Sequence, residues 1–137
     1  MADLTTSLRQ QHAGILEAMD ALTRSLGSLP EGSDAVLAEL SDLAHKLSDH
    51  WEMESLSLYP HIADYPDTRV RLVAGSIKRR CEGLEARLAS LRSRWSTSDS
   101  IAERHAAFTA DALPLFYAVR NRIRSEDTDL FPLLEQG

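Results

Sequence analysis

The chain has 137 residues, with 15 lysines and arginines against 21 aspartates and glutamates, and a single cysteine. The net charge of -6 excludes a broad phosphate-binding surface and with it a nucleic-acid partner, and a lone cysteine excludes an internal disulfide, as expected in a reducing compartment. No apolar run reaches membrane-spanning length, and the start Met1-Ala-Asp-Leu-Thr-Thr lacks the basic and hydrophobic regions of a signal peptide, so no membrane association and a cytoplasmic location are expected. The length predicts one domain over residues 1–137, large enough to bury about two-thirds of its unfolded surface.

The first predicted helix covers residues 3–26. Its apolar seam, Leu8, His12, Ile15, Met19, Leu22 and Leu26, advances by threes and fours. The segment Gly27-Ser-Leu-Pro30-Glu-Gly-Ser33 stops it, and Ser33 is the expected N-cap of the second helix. That helix carries Leu40, Leu43, Leu47, His50, Glu54 and Leu58 along its seam before Pro60 and Pro66 break it. A histidine on each helix thus falls within the stripe that faces the core.

After Pro66 a third helix shows a regular seam of Val70, Val73, Ile77, Cys81, Leu84, Leu88, Leu91 and Trp95, ending in Ser96-Thr-Ser-Asp-Ser100. The fourth is predicted over residues 101–129 with Phe108, Ala112, Leu115, Val119, Arg122, Glu126 and Leu130 inward. Pro114 falls inside it and predicts a kink, unless residues 101–113 form a separate helix. Four helices, short connections and no strand pattern predict an all-α, up-down-up-down four-helix bundle.

The chain reads as a duplicated helical hairpin. His50-Trp-Glu-Met-Glu54-Ser-Leu-Ser-Leu58-Tyr59-Pro60 returns with identical spacing as Arg122-Ile-Arg-Ser-Glu126-Asp-Thr-Asp-Leu130-Phe131-Pro132, and His12-Ala-Gly-Ile15 returns as Cys81-Glu-Gly-Leu84. The second copy therefore has Cys81 and Arg122 where the first has histidines. His50, Arg122 and His12 each lie nine residues from the same end of such a bundle, which puts them at one depth, about 13 Å at 1.5 Å per residue. A histidine and a carboxylate four residues apart share a helix face, and facing helices build metal sites from such pairs.

With these motifs the chain resembles the hemerythrin-like, HHE cation-binding family over nearly its whole length. In that family helix 1 supplies a His, helix 2 H-x-x-x-E followed by L-Y-P, helix 3 one or two His, and helix 4 H-x-x-x-E/D followed by L-F-P. The resemblance implies a four-helix bundle, an oxygen-bridged di-iron centre that binds O2 or NO, and metal ligands at His12, His50, Glu54 and Glu126. The chain departs from the pattern at Cys81 and Arg122 and has no second helix 3 histidine, Ile77 and Glu85 standing one turn to either side.

Arginine stays charged and does not ligate metals, so Arg122 opposes an incoming cation and can itself balance Glu54 and Glu126 through its forked donors. Three occupancies follow. A metal-free ion-pair layer is placed narrowly ahead of one mononuclear non-heme iron on His12, His50, Glu54 and Glu126, and a di-iron centre well behind both. Cys81 reads as a packed thiol before a thiolate ligand, and His45, His61 and His105 fall outside the layer.

The function this suggests is non-enzymatic, the binding or sensing of a small ligand (O2, NO or a metal) at a degenerate site. Charge distribution supplies an alternative. Residues 67–95 carry 3 acids and 8 bases, against 11 and 3 over residues 3–64 and 7 and 4 over residues 98–137. An interaction scaffold would offer an acidic protein partner the basic face of Arg69, Arg71, Lys78, Arg79, Arg87 and Arg94. A non-heme iron enzyme is the third class, but no substrate pocket is visible in the sequence.

Overall fold

The computed structural model describes residues 2–136, all in helices, turns and short connections without a strand. α1 (Ala2–Leu26) and α2 (Ser33–Met53) are joined by a turn in which Gly32 packs directly on Ser28. A Cβ at Gly32 would lie 2.2 Å from the Ser28 hydroxyl, so any larger residue there would have to turn that hydroxyl out of its bond to the Ser25 carbonyl. Gly32, not Ser33, is the N-cap residue. Ser33 instead begins the helix, with no side-chain cap on its N–H groups, because the turn ends one residue earlier than the expected capping serine.

The second helix does not end at Pro60. α2 passes through a π turn, Glu54–Leu58, into α3 (Tyr59–Ala63). The fourth stretch repeats this, since α7 (His105–Ser125) passes through a π turn, Glu126–Leu130, into α8 (Phe131–Glu135). The Tyr59 N–H bonds the Glu54 carbonyl and the Phe131 N–H bonds that of Glu126, one residue further back than in an α-helix. The duplicated motif explains both. Pro60 and Pro132 lack an N–H, and in a continued α-helix their rings would press on the carbonyls four residues back, so the turn widens ahead of each proline. Each widened turn begins at the glutamate of the motif.

The third helix is two helices. α4 (Thr68–Arg80), capped by the Asp67 side chain on the Arg69 N–H, is separated from α5 (Leu84–Arg94) by a turn at Cys81–Gly83. Gly83 has φ +85°, a conformation that costs other residues roughly 1 kcal/mol or more. The apolar row crosses the break without a change of phase, which is why periodicity alone predicted one rod. In the fourth stretch the break falls at Arg104, between α6 (Ser98–Glu103) and α7, rather than after Leu113. Pro114 sits within α7 on its exposed face, as does Ala110, whose carbonyl loses its usual partner N–H to the proline, and the helix runs on.

α1 packs along α2, α5 against α7, and α4 against α3 and the second π turn. Two apolar clusters result. One gathers Ile15, Met19, Leu47, Leu84, Phe108 and Val119 among others, and the second gathers Leu8, Leu58, Ile77, Leu130 and Phe131. Fully burying each such side chain contributes about 1.5–3 kcal/mol. The polar residues His12, His50, Glu54, Arg122 and Glu126 occupy the register between the clusters, and Cys81 touches both clusters. Among the described residues no helix is long and apolar enough to cross a membrane.

Candidate metal centre

His12, His50, Glu54 and Glu126 meet in the core. Each is at most 2 % exposed, and one ligand atom from each lies within 4.8 Å of the others. His12 comes from α1, His50 from α2, and the two glutamates from the first residues of the two π turns. Arg122, 14 % exposed, donates to Glu54 Oε1 at 2.9 Å and brings its Nε to 3.6 Å from Glu126 Oε2. The expected contact of Arg122 with the glutamates is therefore present. Cys81 is half-buried at the end of α4 and does not join the four. His45, His61 and His105 are exposed and stay outside the layer.

Both imidazoles are turned inward by acceptors behind them. The His12 Nδ1–H donates to Asp127 Oδ1 at 2.8 Å, and the His50 Nδ1–H to Gln11 Oε1 at 2.7 Å. With Nδ1 so engaged, each Nε2 faces the layer, where a neutral ring would present its lone pair, the arrangement that fixes metal-binding histidines. The two Nε2 atoms are 3.0 Å apart, and His12 Nε2 is 3.0 Å from Glu126 Oε1. Two lone pairs at that distance require a proton or another cation between them.

Carboxylate chemistry is divided unequally across the layer. Burial, then the facing Glu126, push Glu54 up to about 7 against the opposing pull of His50. Burial also works against the charge on Glu126, but its close interactions with Glu54, His12 and His50, with the Arg122 charge, hold it well below the usual carboxylate range. Burial opposes the charge on His50 as well, and the two glutamates outweigh it and raise the ring to about 9. Tyr59, buried beside both carboxylates, is raised and donates its OH to Glu126 Oε2 at 3.1 Å. Burial raises the Cys81 thiol.

The donor set fits a single cation. Glu54 Oε2 is buried without a hydrogen-bond partner and stands 3.4 Å from His50 Nε2, and Glu126 Oε1 is 3.8 Å from the same nitrogen. An orphaned carboxylate oxygen and two inward imidazole nitrogens are what a divalent ion of the iron, zinc or manganese type accepts. The Arg122 side of the layer offers no such donors, since Cys81 lies apart and the guanidinium is itself a cation.

The hemerythrin HHE cation-binding domain matches residues 3–134. The chain belongs to that family. Hemerythrin-family domains bind non-heme iron, and this HHE domain presents a buried His/Glu cluster with which to hold a metal. No curated protein and no solved structure gives a match to this HHE domain.

Sequence reasoning missed the residues around the His/Glu cluster. Gln11 and Asp127 are chain neighbours of His12 and Glu126, and each reaches a histidine on a different helix. Arg9 grips Glu135 with two donors at 2.9 Å, contacts Asp127 and lies over the Phe131 ring, which stacks on His12 at 5.5 Å. The only signals were adjacency and the repeated aromatic-Pro of the motif. The basic residues of the third stretch are divided by its break, with Arg69 paired to Asp67 and Arg94 to Asp111.

Proposed function

We propose that this HHE domain is a non-enzymatic cytoplasmic protein that holds one metal ion, iron by family and donor set, on His12, His50, Glu54 and Glu126, and that it binds or senses a small ligand there. This reading takes the four helical stretches as one up-down-up-down bundle forming a single domain. The observation that carries it is the convergence of two imidazoles, each oriented from behind, with an orphaned carboxylate oxygen. Iron held by these four residues would supply reversible binding of a diatomic ligand such as O2 or NO. The protein's own part is to fix both rings through Asp127 and Gln11, to keep water out with the clusters on either side, and to balance Glu54 and Glu126 with Arg122.

Nuclearity follows from charge. A second ion would have to displace the Arg122 guanidinium from Glu54, where burial and a 2.9 Å contact retain it. A metal-free reading is supported by the same ion pair, since a proton on His50 and the Arg122 charge together balance the two glutamates. The test is elemental analysis of protein made in iron-replete cells, with absorption spectra under air and under nitrogen. Near-stoichiometric metal, lost in His12→Ala and in His50→Ala, is expected. An unmodified protein without metal and without a spectral response leaves the ion-pair layer as the correct reading. An acidic protein partner for the exposed basic residues of α4 and α5 remains a separate proposal, testable by salt-sensitive co-purification that Arg79→Glu abolishes.

A further inference from the structure

Cys81 and Arg122, which stand where the first copy of the repeat has histidines, line the same cavity of about 650 Å³, together with Tyr59, Lys78 and the Gly83 turn. This cavity opens where the third helical stretch breaks between α4 and α5. Arg122 lies between it and the polar layer. One of its nitrogens donates to Glu54, while Nε is buried without a hydrogen-bond partner. Lys78 makes no ion pair among the described residues and lies over the Tyr59 ring, 5.5 Å from its centroid. On the same wall α5 begins at Gly83, which has no side chain to cap the first-turn N–H groups, so their partial positive charge adds to that of the two cations. Glu82 and Glu85 on the same wall oppose this; they and Lys78 are all exposed, so the fixed charge of the cavity is the mostly buried Arg122 guanidinium, which also faces Glu54 and Glu126 on its inner side.

We propose that this cavity is an anion site, taking a small organic or inorganic oxyanion that presents two oxygens side by side to Arg122 with Lys78 as the second charge. The planar fork of arginine matches a carboxylate or a phosphate, and the cavity has the volume of a small-molecule site. The site lies beside the metal-binding layer and does not rest on the presence of a metal.

The experiment is a titration of the chelator-treated full chain with sodium acetate and, separately, with inorganic phosphate at constant ionic strength, followed by amide NMR shifts. Saturable shifts centred on Gly83, Leu84 and Arg122 are expected with at least one anion. The tighter of the two tells a carboxylate ligand from a phosphate ligand. Lys78→Met should raise Kd about threefold to tenfold, Glu82→Gln should lower it, and Arg122→Lys should weaken binding while keeping the charge. Lys78 is exposed, so its variant remains informative if the Arg122 variant fails to fold. Shifts that never saturate with either anion, or a Kd that Lys78→Met leaves unchanged, would overturn the proposal. Because the protein is metal-free throughout, these results are independent of whether the layer binds iron.

Discussion

Replacing Arg122 with methionine keeps most of the stem volume and deletes the charge. The guanidinium contacts Glu54 at 2.9 Å and approaches Glu126 to 3.6 Å, and both carboxylates are at most 1 % exposed. Removing one partner from a buried ion pair costs about 3–5 kcal/mol, because the remaining charge has neither water nor a counter-ion. With an unfolding entropy of about 2.1 cal/mol/K per residue, a chain of 137 residues loses roughly 10–17 °C in Tm for that change. The cost should depend on pH. Glu54 is already raised to about 7, so at pH 5.5 it carries a proton and the variant loses less, about half as much by this reasoning. Urea unfolding of chelator-treated parent and Arg122→Met at pH 8 and pH 5.5 measures both quantities. A loss below about 1 kcal/mol at pH 8, or one that is the same at the two pH values, would show that Arg122 does not balance the buried carboxylates.

The combined change Cys81→His and Arg122→His should raise the iron content of purified protein above that of the parent, since it removes the opposing charge and adds imidazoles; equal iron in both preparations would confine the family's metal chemistry here to the first half of the repeat. In the metal-free protein, His50 is raised from 6.5 to about 9 and Glu54 from 4.5 to about 7, so each binds its proton more tightly when folded. The stability from His50 is complete below pH 6.5 and lost as pH rises through 9, that from Glu54 is lost through 7, and unfolding free energy should fall by about 1–3 kcal/mol between pH 6 and 9. A flat or rising profile, or the same slope in His50→Gln, would contradict the assignment. Gly83→Ala should cost about 1–2 kcal/mol because of its φ of +85°, whereas Gly14→Ala, in the middle of α1 with open space around the added carbon, should stabilise by about 0.4–1 kcal/mol. Thermal melts of the two variants should therefore move in opposite directions.

The sequence by itself determined the helical class, the buried rows and the four inward polar residues. A helix brings residues three and four apart onto one face, so His12, His50, Glu54 and Glu126 could be placed in the core stripe without knowing which helix stood opposite. The repeated motif likewise determined that whatever Glu54 and Pro60 did, Glu126 and Pro132 would repeat, and both copies do form a π turn. What it could not determine was the course of the chain where two signals competed. Gly83 broke the third rod although the apolar row continued, and solvent around Pro114 let α7 continue although a proline interrupted it. Only the tertiary structure decided the partners of the polar layer, because Gln11 and Asp127 sit one residue from the seam and act on histidines of neighbouring helices. A side chain's position on its own helix is a local property of the backbone, but the group it meets is set by how whole helices pack, and that is where the orientation of each imidazole and the pairing of Arg122 with Glu54 were settled.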